Sequence, residues 1–411
     1  MIKKKIKYID PKIWQLIKKE EKRQEENIEL IASENYISQA SMYAQGSKLT
    51  NKYAEGYPNK RYYAGCKFVD KIEKLAINRL KKLFGAESAN VQPHSGSQAN
   101  QGVFFSILNA GDLILGMSLN SGGHLTHGMK LNVSGKLFNV ISYGLDKNQK
   151  IDYEYIEKIV YEKKPKLIIA GASSYSLHID FSFFSYIAKK NKSYLLVDMS
   201  HYAGLVAAGL YPNPIPYADF VTSTTHKSLR GPRGGIILMK SKYKKKINSA
   251  IFPGIQGGPL MHIIAAKAVS FKEALSLNFI LYQKQVIKNS ILLSEILKKR
   301  NFKIISKTTK SHLILIDLKN KNITGKEAEN ILSSVNIICN KNVIPNDKKN
   351  ARITSGIRLG TLAITTRGFK EKEIIIIGNL IADAILFRKN IFFLKKIKKK
   401  VKNLIKFFPI Y

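Results

Sequence analysis

Three short runs of apolar and β-branched residues constrain the fold more than any other feature of the sequence. They cover residues 166–171, 194–198 and 220–225, and segments with helical character separate them. Strands that alternate with helices are typical of a mostly parallel sheet wrapped by helices. The sequence therefore predicts an α/β fold.

The ends of two of these runs carry residues that point to cofactor chemistry. The run at 194–198 ends on Asp198, and the run at 220–225 leads directly into His226 and Lys227. A strand-end lysine with an acid at the end of the preceding strand is the arrangement that holds pyridoxal phosphate (PLP). The lysine forms a Schiff base, and the carboxylate keeps the pyridine nitrogen protonated. A surface lysine that merely follows a strand is the plain alternative, and spacing alone does not decide between them.

A second motif predicts a phosphate site. Ser95, Gly96 and Ser97 stand immediately before an apolar helix. Backbone amides at a helix start, together with two hydroxyls, can hold a phosphate group. An ordinary serine N-cap is the alternative interpretation of the same residues.

Length and composition indicate more than one domain. With 411 residues, of which 45% are hydrophobic, the chain can bury a large core. We predict an N-terminal arm with a helical segment (1–50), a large PLP-binding domain (51–275) and a smaller C-terminal domain (276–411). A long amphipathic helix at 271–300 should link the two domains. The polar and aromatic stretch at 31–65 lacks a clear period, and long irregular segments inside enzymes are usually functional.

The net charge of +39 does not by itself predict a nucleic-acid partner. The lysines are scattered over helix faces and both ends of the chain, without the interleaved aromatics or the module that a nucleic-acid surface would carry. We therefore expect incidental binding to polyanions at low salt and no dedicated nucleic-acid partner. The arginines are more informative, because six of the ten lie in Gly-rich motif stretches where a planar bidentate fork is useful: Arg61, Arg230, Arg233, Arg352, Arg358 and Arg367.

Other sequence features favour a soluble, cytoplasmic protein. Cys66 and Cys339 are far apart and show no CxxC spacing, so neither a disulfide framework nor a metal site is predicted. The basic N-terminus has no apolar core of the kind found in signal peptides. The apolar stretch at 374–387 is too short to span a bilayer, so no membrane partner is expected.

Eight segments, taken together and in order, resemble the serine hydroxymethyltransferase family. They are IELIASENY (28–36), LTNKYAEGYPNKRYYAGC (49–66), NVQPHSGSQAN (90–100), GGHLTHG (122–128), VDMSHYAGLVAAG (197–209), THKSLRGPRGG (225–235), FPGIQGGPLMH (252–262) and TSGIRLGT (354–361). The resemblance extends from Asp10 to Tyr411. It implies the aspartate-aminotransferase-like fold, which is fold type I of the PLP enzymes, with a large, mostly parallel domain and a smaller C-terminal α+β domain. It also implies a homodimer with shared active sites. The implied reaction interconverts L-serine and tetrahydrofolate with glycine and 5,10-methylenetetrahydrofolate.

The resemblance assigns roles around the cofactor. Lys227 would carry PLP, Asp198 would pair with the pyridine nitrogen, and His124 would stack on the ring. Ser173 and His201 would lie near the phenolic oxygen. The remaining residues implied for the cofactor site are Ser95, Gly96, Ser97, Thr224 and His226, joined by Tyr53, Gly257 and Gly258 from the partner subunit.

The substrate site is implied in the same way. Arg358 would clamp the amino-acid carboxylate, a bidentate task for which lysine is a poor substitute. Ser33 and Tyr63 would lie nearby. Glu55, reaching across the dimer, would transfer a proton close to the substrate hydroxymethyl group.

The implied folate site is less complete. The matching positions are Leu119, Gly123, His124, Leu125, Phe252 and Asn342, together with Glu55. The family often has Ser-Pro-Phe where this chain has Asn350, Ala351 and Arg352, and a proline where it has Leu362. These departures concern folate affinity more than the cofactor chemistry, and Arg352 could favour an anionic glutamate tail.

Two alternatives stay open at this point. One is a folate-independent aldolase acting on threonine-like β-hydroxy amino acids. The other is a decayed protein retained as a basic RNA- or partner-binding module. The presence of Lys227, Asp198 and Arg358 argues against the second.

Overall fold

A seven-stranded sheet lies at the centre of the larger part of the molecule. The computed structural model describes residues 2–411. The strands of this sheet are β1 (Ser88–Asn90), β2 (Leu113–Met117), β3 (Asn139–Tyr143), β4 (Leu167–Gly171), β5 (Tyr194–Asp198), β6 (Phe220–Thr224) and β7 (Gly235–Met239). Their order across the sheet is β1-β7-β6-β5-β4-β2-β3, and neighbours run parallel except that β7 is antiparallel to both β1 and β6. The mostly parallel sheet is therefore confirmed.

The apolar character of these strands follows from burial on both faces. On β4, Ile168 and Ala170 belong to one hydrophobic core, whereas Leu167 and Ile169 belong to another. Successive strand residues point to opposite faces, so a strand that is covered on both sides needs an almost continuous apolar run. This explains why the sequence shows short apolar runs here rather than an alternating pattern.

Helices cover both faces of the sheet and build the rest of the chain. They are α1 (Ile2–Ile9), α2 (Pro11–Glu25), α3 (Gln39–Gln45), α4 (Lys67–Phe84), α5 (Gly96–Ile107), α6 (Val133–Leu137), α7 (Tyr153–Lys163), α8 (Phe181–Lys190), α9 (Ala203–Ala207), α10 (Lys244–Ser249), α11 (Met261–Ala274), α12 (Leu277–Lys299), α13 (Gly325–Ser334), α14 (Leu362–Thr366), α15 (Glu371–Leu386) and α16 (Ile391–Ile405). Side chains cap several of them; Asp180, for example, accepts hydrogen bonds from the backbone N–H groups of Ser182 and Phe183 at the start of α8.

A smaller antiparallel sheet lies in the C-terminal part. It contains β8 (Lys303–Ile304), β9 (Leu313–Asp317), β10 (Asn340–Asn342) and β11 (Gly356–Gly360), in the order β8-β9-β11-β10. A separate hydrophobic core joins this sheet to α12, α13, α15 and α16. The short strand Ile28–Glu29 pairs in parallel with Ile337–Ile338, so residues near the N-terminus pack with this C-terminal part. The domain boundaries at 50/51 and 275/276 stay a prediction.

The expectation of one long helix at 271–300 is wrong. The chain forms α11 and α12, and the break falls at Leu275 and Ser276. The Ser276 hydroxyl accepts a hydrogen bond from the N–H of Phe279 and thereby caps a new helix. Apolar residues flank Ser276 on both sides, which hides the break from a pattern-based prediction.

The stretch at 31–65 has more local structure than its sequence suggested. It contains α3, a short 3-10 helix at Lys48–Asn51, and a two-stranded hairpin formed by Gly56–Tyr57 and Lys60–Arg61. Hydrogen bonds to distant residues hold parts of this segment: Asn35 Nδ2 donates to the Lys227 carbonyl oxygen and the Tyr57 hydroxyl to that of Asn248.

The apolar stretch at 374–387 forms most of α15 and packs into the C-terminal core. Within residues 2–411, no helix combines the length and the apolar character needed to cross a membrane.

Candidate active site

A cavity of about 460 Å³ lies where β4, β5 and β6 end. Ligands of open α/β sheets bind in this position, outside the carboxyl ends of the strands. Twelve of the residues predicted for the site line the cavity: Ser33, Ser95, Gly96, Ser97, His124, Ser173, Asp198, His201, Thr224, His226, Lys227 and Arg358. The cavity therefore brings together residues that are up to 325 positions apart in the sequence, from Ser33 to Arg358.

Asp198 is buried, and donors from three segments hold its carboxylate. Asn100 Nδ2 lies 3.0 Å and His127 Nε2 3.2 Å from Oδ2, while the Ser200 hydroxyl donates to Oδ1 at 2.6 Å. Burial alone would favour the protonated acid, but the hydrogen bonds from His127 and Ser200 hold the pKa of Asp198 well below its usual range. The group therefore remains a carboxylate at neutral pH.

Lys227 projects into the same cavity and is 8% exposed. Burial lowers the pKa of Lys227 to about 8, an effect that Asp198 opposes and that Arg358 and Arg233 reinforce. Asn35 Nδ2 donates to the Lys227 carbonyl oxygen at 3.0 Å and fixes the backbone at this point. A buried lysine with a lowered pKa on a cavity wall is a candidate amine nucleophile.

The predicted phosphate segment forms the start of α5. Ser95 is the N-cap, and its hydroxyl accepts from the N–H of Gln98 at 3.1 Å. A Cβ on Gly96 would lie 2.6 Å from Thr224 Cγ2, so glycine is needed for this close approach. The capping role and an anion site are compatible, because the first N–H groups of a helix remain available to a ligand.

Two polar atoms on the cavity wall test whether the site suits PLP. Thr224 Oγ1 and His226 Nδ1 are buried and have no hydrogen-bond partner within the described chain, although both residues face the cavity. Buried polar groups are normally paired. The cavity thus offers a helix N-terminus for the phosphate of PLP, a carboxylate for its pyridine nitrogen and an amine for its aldehyde. The unpaired polar atoms can bind its remaining polar groups. The residues present therefore fit PLP.

Arg358 enters the cavity from β11. Its Nη1 donates to the Ser173 carbonyl oxygen at 2.7 Å, and its Nε lies 3.2 Å from Asn340 Oδ1. Burial lowers the pKa of Arg358 to about 10, so it is still charged at neutral pH. The guanidinium is therefore fixed in orientation beside Lys227 and available to an anionic ligand.

Histidines around the cavity are held neutral by burial. Burial lowers the pKa of His124 to about 4 and that of His226 to about 3. His201 stacks on His312 with ring centroids 5.5 Å apart, and burial also lowers the pKa of both rings, to about 3 for His312. His312 Nε2 lies 3.1 Å from the carbonyl oxygen of Ala32, which precedes Ser33 in the cavity wall.

Five other predicted residues form a separate cluster, which we name the arm cluster: Tyr53, Glu55, Tyr63, Gly257 and Gly258. None of them lines the cavity that contains Lys227. The rings of Tyr53 and Tyr63 are 5.2 Å apart, and a Cβ on Gly258 would lie 3.1 Å from the Tyr53 ring. Tyr53 is 56% exposed and Tyr63 48% exposed, and the charge of Glu55 raises the pKa of Tyr63. The chain therefore assembles these residues on its surface, apart from its own cavity.

Arg61 anchors the arm cluster. Its Nη1 donates to the carbonyl oxygens of Ala54 and Gly56, at 2.8 and 2.9 Å, on either side of Glu55. The rest of the guanidinium pairs with two carboxylates, Asp70 at 2.8 Å and the buried Glu73 at 2.6 Å. The planar fork therefore fixes the backbone that carries Glu55.

Most residues predicted for folate lie outside the cavity wall. His124 is the exception. Leu119 is 41% and Leu125 47% exposed, and Gly123 is so close to the Met117 carbonyl oxygen that a Cβ would lie 2.0 Å from it. Phe252 packs edge-on against Tyr62, Asn342 Nδ2 lies 3.4 Å from Ser174 Oγ, and the loop residues Asn350, Ala351 and Arg352 are exposed.

Several site residues escaped the sequence analysis. Glu34, Ser200 and Arg233 line the cavity, and Asn100 and His127 reach Asp198 from outside it. Arg233 could have been predicted as a site residue, because it is an arginine in a Gly-rich turn of a lysine-rich chain. For Asn100 and His127 only the folded chain reveals the contact.

The fold and the cavity define the class of PLP-dependent enzymes of fold type I. Within that class, the chain belongs to the serine hydroxymethyltransferase family, whose model matches residues 6–381. It is similar to the serine hydroxymethyltransferase of Cupriavidus necator, with 62% identity over 406 residues, which cover 99% of this chain and 98% of the relative. The identity is also 62% to that of a Janthinobacterium species, over 98% of this chain and 97% of the relative. A Ralstonia pickettii serine hydroxymethyltransferase likewise shares 62% identity over 406 residues.

Membership makes the protein a PLP-dependent one-carbon transferase. The family interconverts L-serine and tetrahydrofolate with glycine and 5,10-methylenetetrahydrofolate, uses PLP as its cofactor, and works as homodimers or tetramers. The fold, cofactor and activity expected from the sequence are thus confirmed.

The contacts of Arg61 generate a stability prediction. Arg61→Lys keeps the charge but cannot reproduce four simultaneous hydrogen bonds, so it should lower the free energy of unfolding by about 2 kcal/mol. Denaturant unfolding at fixed protein concentration measures the change. Arg388→Lys is the matched control, because Arg388 makes a single backbone contact, to the Ile385 carbonyl oxygen. Equal stability of the two variants would show that the fork at Arg61 contributes little.

Proposed function

We propose that Lys227 holds PLP covalently and that Asp198 binds the pyridine nitrogen in a serine hydroxymethyltransferase active site. The observation that carries this assignment is the buried pair itself: an amine with a lowered pKa and a carboxylate kept ionised, sharing one cavity with a fixed guanidinium. PLP, when bound, supplies a protonated ring that can accept the electron pair released at the substrate α-carbon.

The other cavity residues have separate tasks in this proposal. Ser95, Gly96 and Ser97 bind the phosphate, and Thr224 and His226 supply the polar atoms that lack a partner in the chain. His124 stacks on the ring, while Ser173 and His201 lie beside the phenolic oxygen. Because His201 is neutral, it can donate or accept a hydrogen bond there without adding charge.

Substrate binding depends on Arg358. Its orientation is set by Ser173 and Asn340, so the guanidinium can receive a carboxylate through two parallel hydrogen bonds. Ser33 lies in the same cavity and completes this part of the site.

We further propose that the arm cluster serves the active site of the partner subunit. Its exposure and its separation from the Lys227 cavity support this arrangement. Tyr53, Gly257 and Gly258 would contribute to the partner's phosphate site, and Tyr63 to substrate binding. Glu55 would hold or release the proton at the substrate hydroxymethyl group.

The folate site is proposed at His124, with Leu119, Gly123 and Leu125 on one side and Phe252, Asn342 and Glu55 contributing further walls. Asn350, Ala351 and Arg352 would lie toward the glutamate tail.

A cytoplasmic location is also proposed, and the two buried free thiols, Cys66 and Cys339, are consistent with a reducing compartment.

The proposal is tested first on the purified protein. Borohydride reduction and peptide mapping should place the cofactor on Lys227, and serine cleavage should require tetrahydrofolate. Asp198→Asn should lose much more activity than cofactor, because an unprotonated ring is a poor electron acceptor. Labelling of another lysine would refute the assignment, and folate-independent cleavage of threonine-type substrates as the faster reaction would favour an aldolase.

The lowered pKa of Lys227 predicts a pH dependence. Only the neutral amine attacks the PLP aldehyde, so covalent attachment of PLP to the cofactor-free protein should accelerate as pH rises through about 8. Absorbance measures this rate. Nα-acetyllysine in the same buffers controls for titration of the cofactor itself. Acceleration centred near the ordinary lysine pKa of about 10.4 would contradict a desolvated amine.

Arg358→Lys should raise the KM for serine strongly and lower kcat, because a point charge cannot form two parallel bonds to a carboxylate. A loss of about 1.5–3 kcal/mol in kcat/KM is expected. Steady-state kinetics measure it, with Arg23→Lys as a control at an exposed surface pair. Unchanged serine kinetics would remove Arg358 from the site.

The shared-site proposal predicts complementation. Lys227→Ala and Glu55→Ala should each be inactive, but a mixed dimer contains one site with both lesions and one with neither. Activity should therefore return toward one half of wild type per mixed dimer. If the mixture stays inactive although mass measurements show subunit exchange, Glu55 acts in its own subunit.

A further inference from the structure

Lys267 is a lysine in the protein interior. It lies on α11, is 1% exposed, and its Nζ donates to three backbone carbonyl oxygens: Val91 at 2.7 Å, Gly235 at 2.8 Å and Pro93 at 3.0 Å. A protonated lysine has three N–H donors and no hydrogen-bond acceptor. The three carbonyl oxygens therefore use all of its donors. None of the three is a carboxylate, and this coordination resembles that of a monovalent cation among carbonyl oxygens.

Two of the three carbonyls, those of Val91 and Pro93, belong to the segment that leads into the predicted phosphate site, and the third belongs to Gly235. Strand β1 pairs with β7 only as far as Asn90, and the chain then leaves the ladder through Val91 and Pro93. Two residues later Ser95 caps α5. Gly235 is the first residue of β7, and its N–H also donates to the Pro93 oxygen at 3.0 Å. The ammonium group therefore joins the end of β1, the start of β7 and the turn before Ser95.

Two glycines make room for this arrangement. A Cβ on Gly234 would lie 2.5 Å from Lys267 Cε, and a Cβ on Gly235 would lie 2.2 Å from the Ser95 oxygen. Neither separation is possible for a real side chain. The Gly-Gly pair after Arg233 thus permits the lysine and the phosphate-binding turn to pack against the same two residues.

Burial of an ammonium group is costly. Burial lowers the pKa of Lys267, whereas the charge of Glu73 and the three carbonyl acceptors favour the protonated form. An apolar side chain of similar length could fill the space without this cost. The cost is offset by the three hydrogen bonds to carbonyl oxygens where the strand leaves the sheet, of which the Pro93 oxygen also has a second donor, the Gly235 N–H.

We propose that Lys267 is a positioning residue that acts as a built-in cation and holds the 91–95 turn in the geometry needed to bind the cofactor phosphate. The inference rests on the proposed role of Ser95, Gly96 and Ser97. Lys267 does not line the cavity. It acts through the backbone of the turn.

The first experiment compares cofactor affinity with protein stability. Lys267→Met keeps an unbranched side chain, one atom shorter, and removes the N–H donors, and should weaken PLP affinity about tenfold, equivalent to about 1.4 kcal/mol. PLP dissociation is followed by absorbance, and the unfolding midpoint is measured on the cofactor-free protein. Lys272→Met is the control, because Lys272 lies on the same helix and is exposed.

These readouts separate the possible outcomes. A lower midpoint with unchanged PLP affinity would show a merely structural role and overturn the proposal. If Lys267→Met does not fold, Lys267→Gln, which retains two N–H donors, carries the same comparison. Failure of the wild-type protein to bind PLP would instead refute the proposed function.

A rescue experiment tests the cation directly. Lys267→Ala leaves a space lined by the three carbonyl oxygens, which suit a potassium ion. Potassium chloride should restore PLP affinity, whereas tetramethylammonium chloride at equal ionic strength, too large for the space and unable to donate hydrogen bonds, should not. Amines are avoided because they react with PLP. Equal affinity in the two salts would overturn the cation role.

Discussion

The ionised carboxylate of Asp198 is the interaction on which the site depends. A buried carboxylate is stable only if donors replace the water that it loses. Here the donors come from α5 through Asn100, from the 122–128 segment through His127, and from the turn after β5 through Ser200. Asn100 also accepts a hydrogen bond from the hydroxyl of Thr222 on β6. The carboxylate therefore fixes the relative positions of three segments that wall the cavity, as well as its own charge.

The C-terminal part of the chain contributes a positive charge to the cavity through Arg358. In the proposed active site Arg358 would supply the charge for an amino-acid carboxylate, and its guanidinium donates to the Ser173 carbonyl oxygen just after β4. A site built from the central sheet alone would hold the cofactor without this clamp. This contact joins the small sheet to the end of β4, so the position of the small sheet and the shape of the cavity are coupled.

Much of the fold and of the site was predictable because the chemistry falls at strand ends. Asp198 and Lys227 are recognisable from their place after apolar runs, and the runs are apolar because both faces of the sheet are buried. Residues such as Asn100 and His127 were not predictable, since their function depends on contacts across 98 and 71 positions of sequence. The break at Ser276 could not be predicted for a different reason: a single hydroxyl cap marks it, and apolar residues flank it on both sides. The family resemblance supplied Arg358 and the arm cluster, which neither periodicity nor spacing could place.

Because the histidines around the cavity are buried, their charge does not change when the pH of the surroundings changes near neutrality. With pKa values of about 4 for His124 and about 3 for His226 and His312, these rings neither take up nor release protons when the pH of the surroundings drifts by a unit around neutrality. Histidine usually makes a protein pH-sensitive in this range. Here the same residue type supplies shape and hydrogen bonding at constant charge, so the ligand meets the same electrostatic field from these rings in mildly acidic and mildly alkaline conditions.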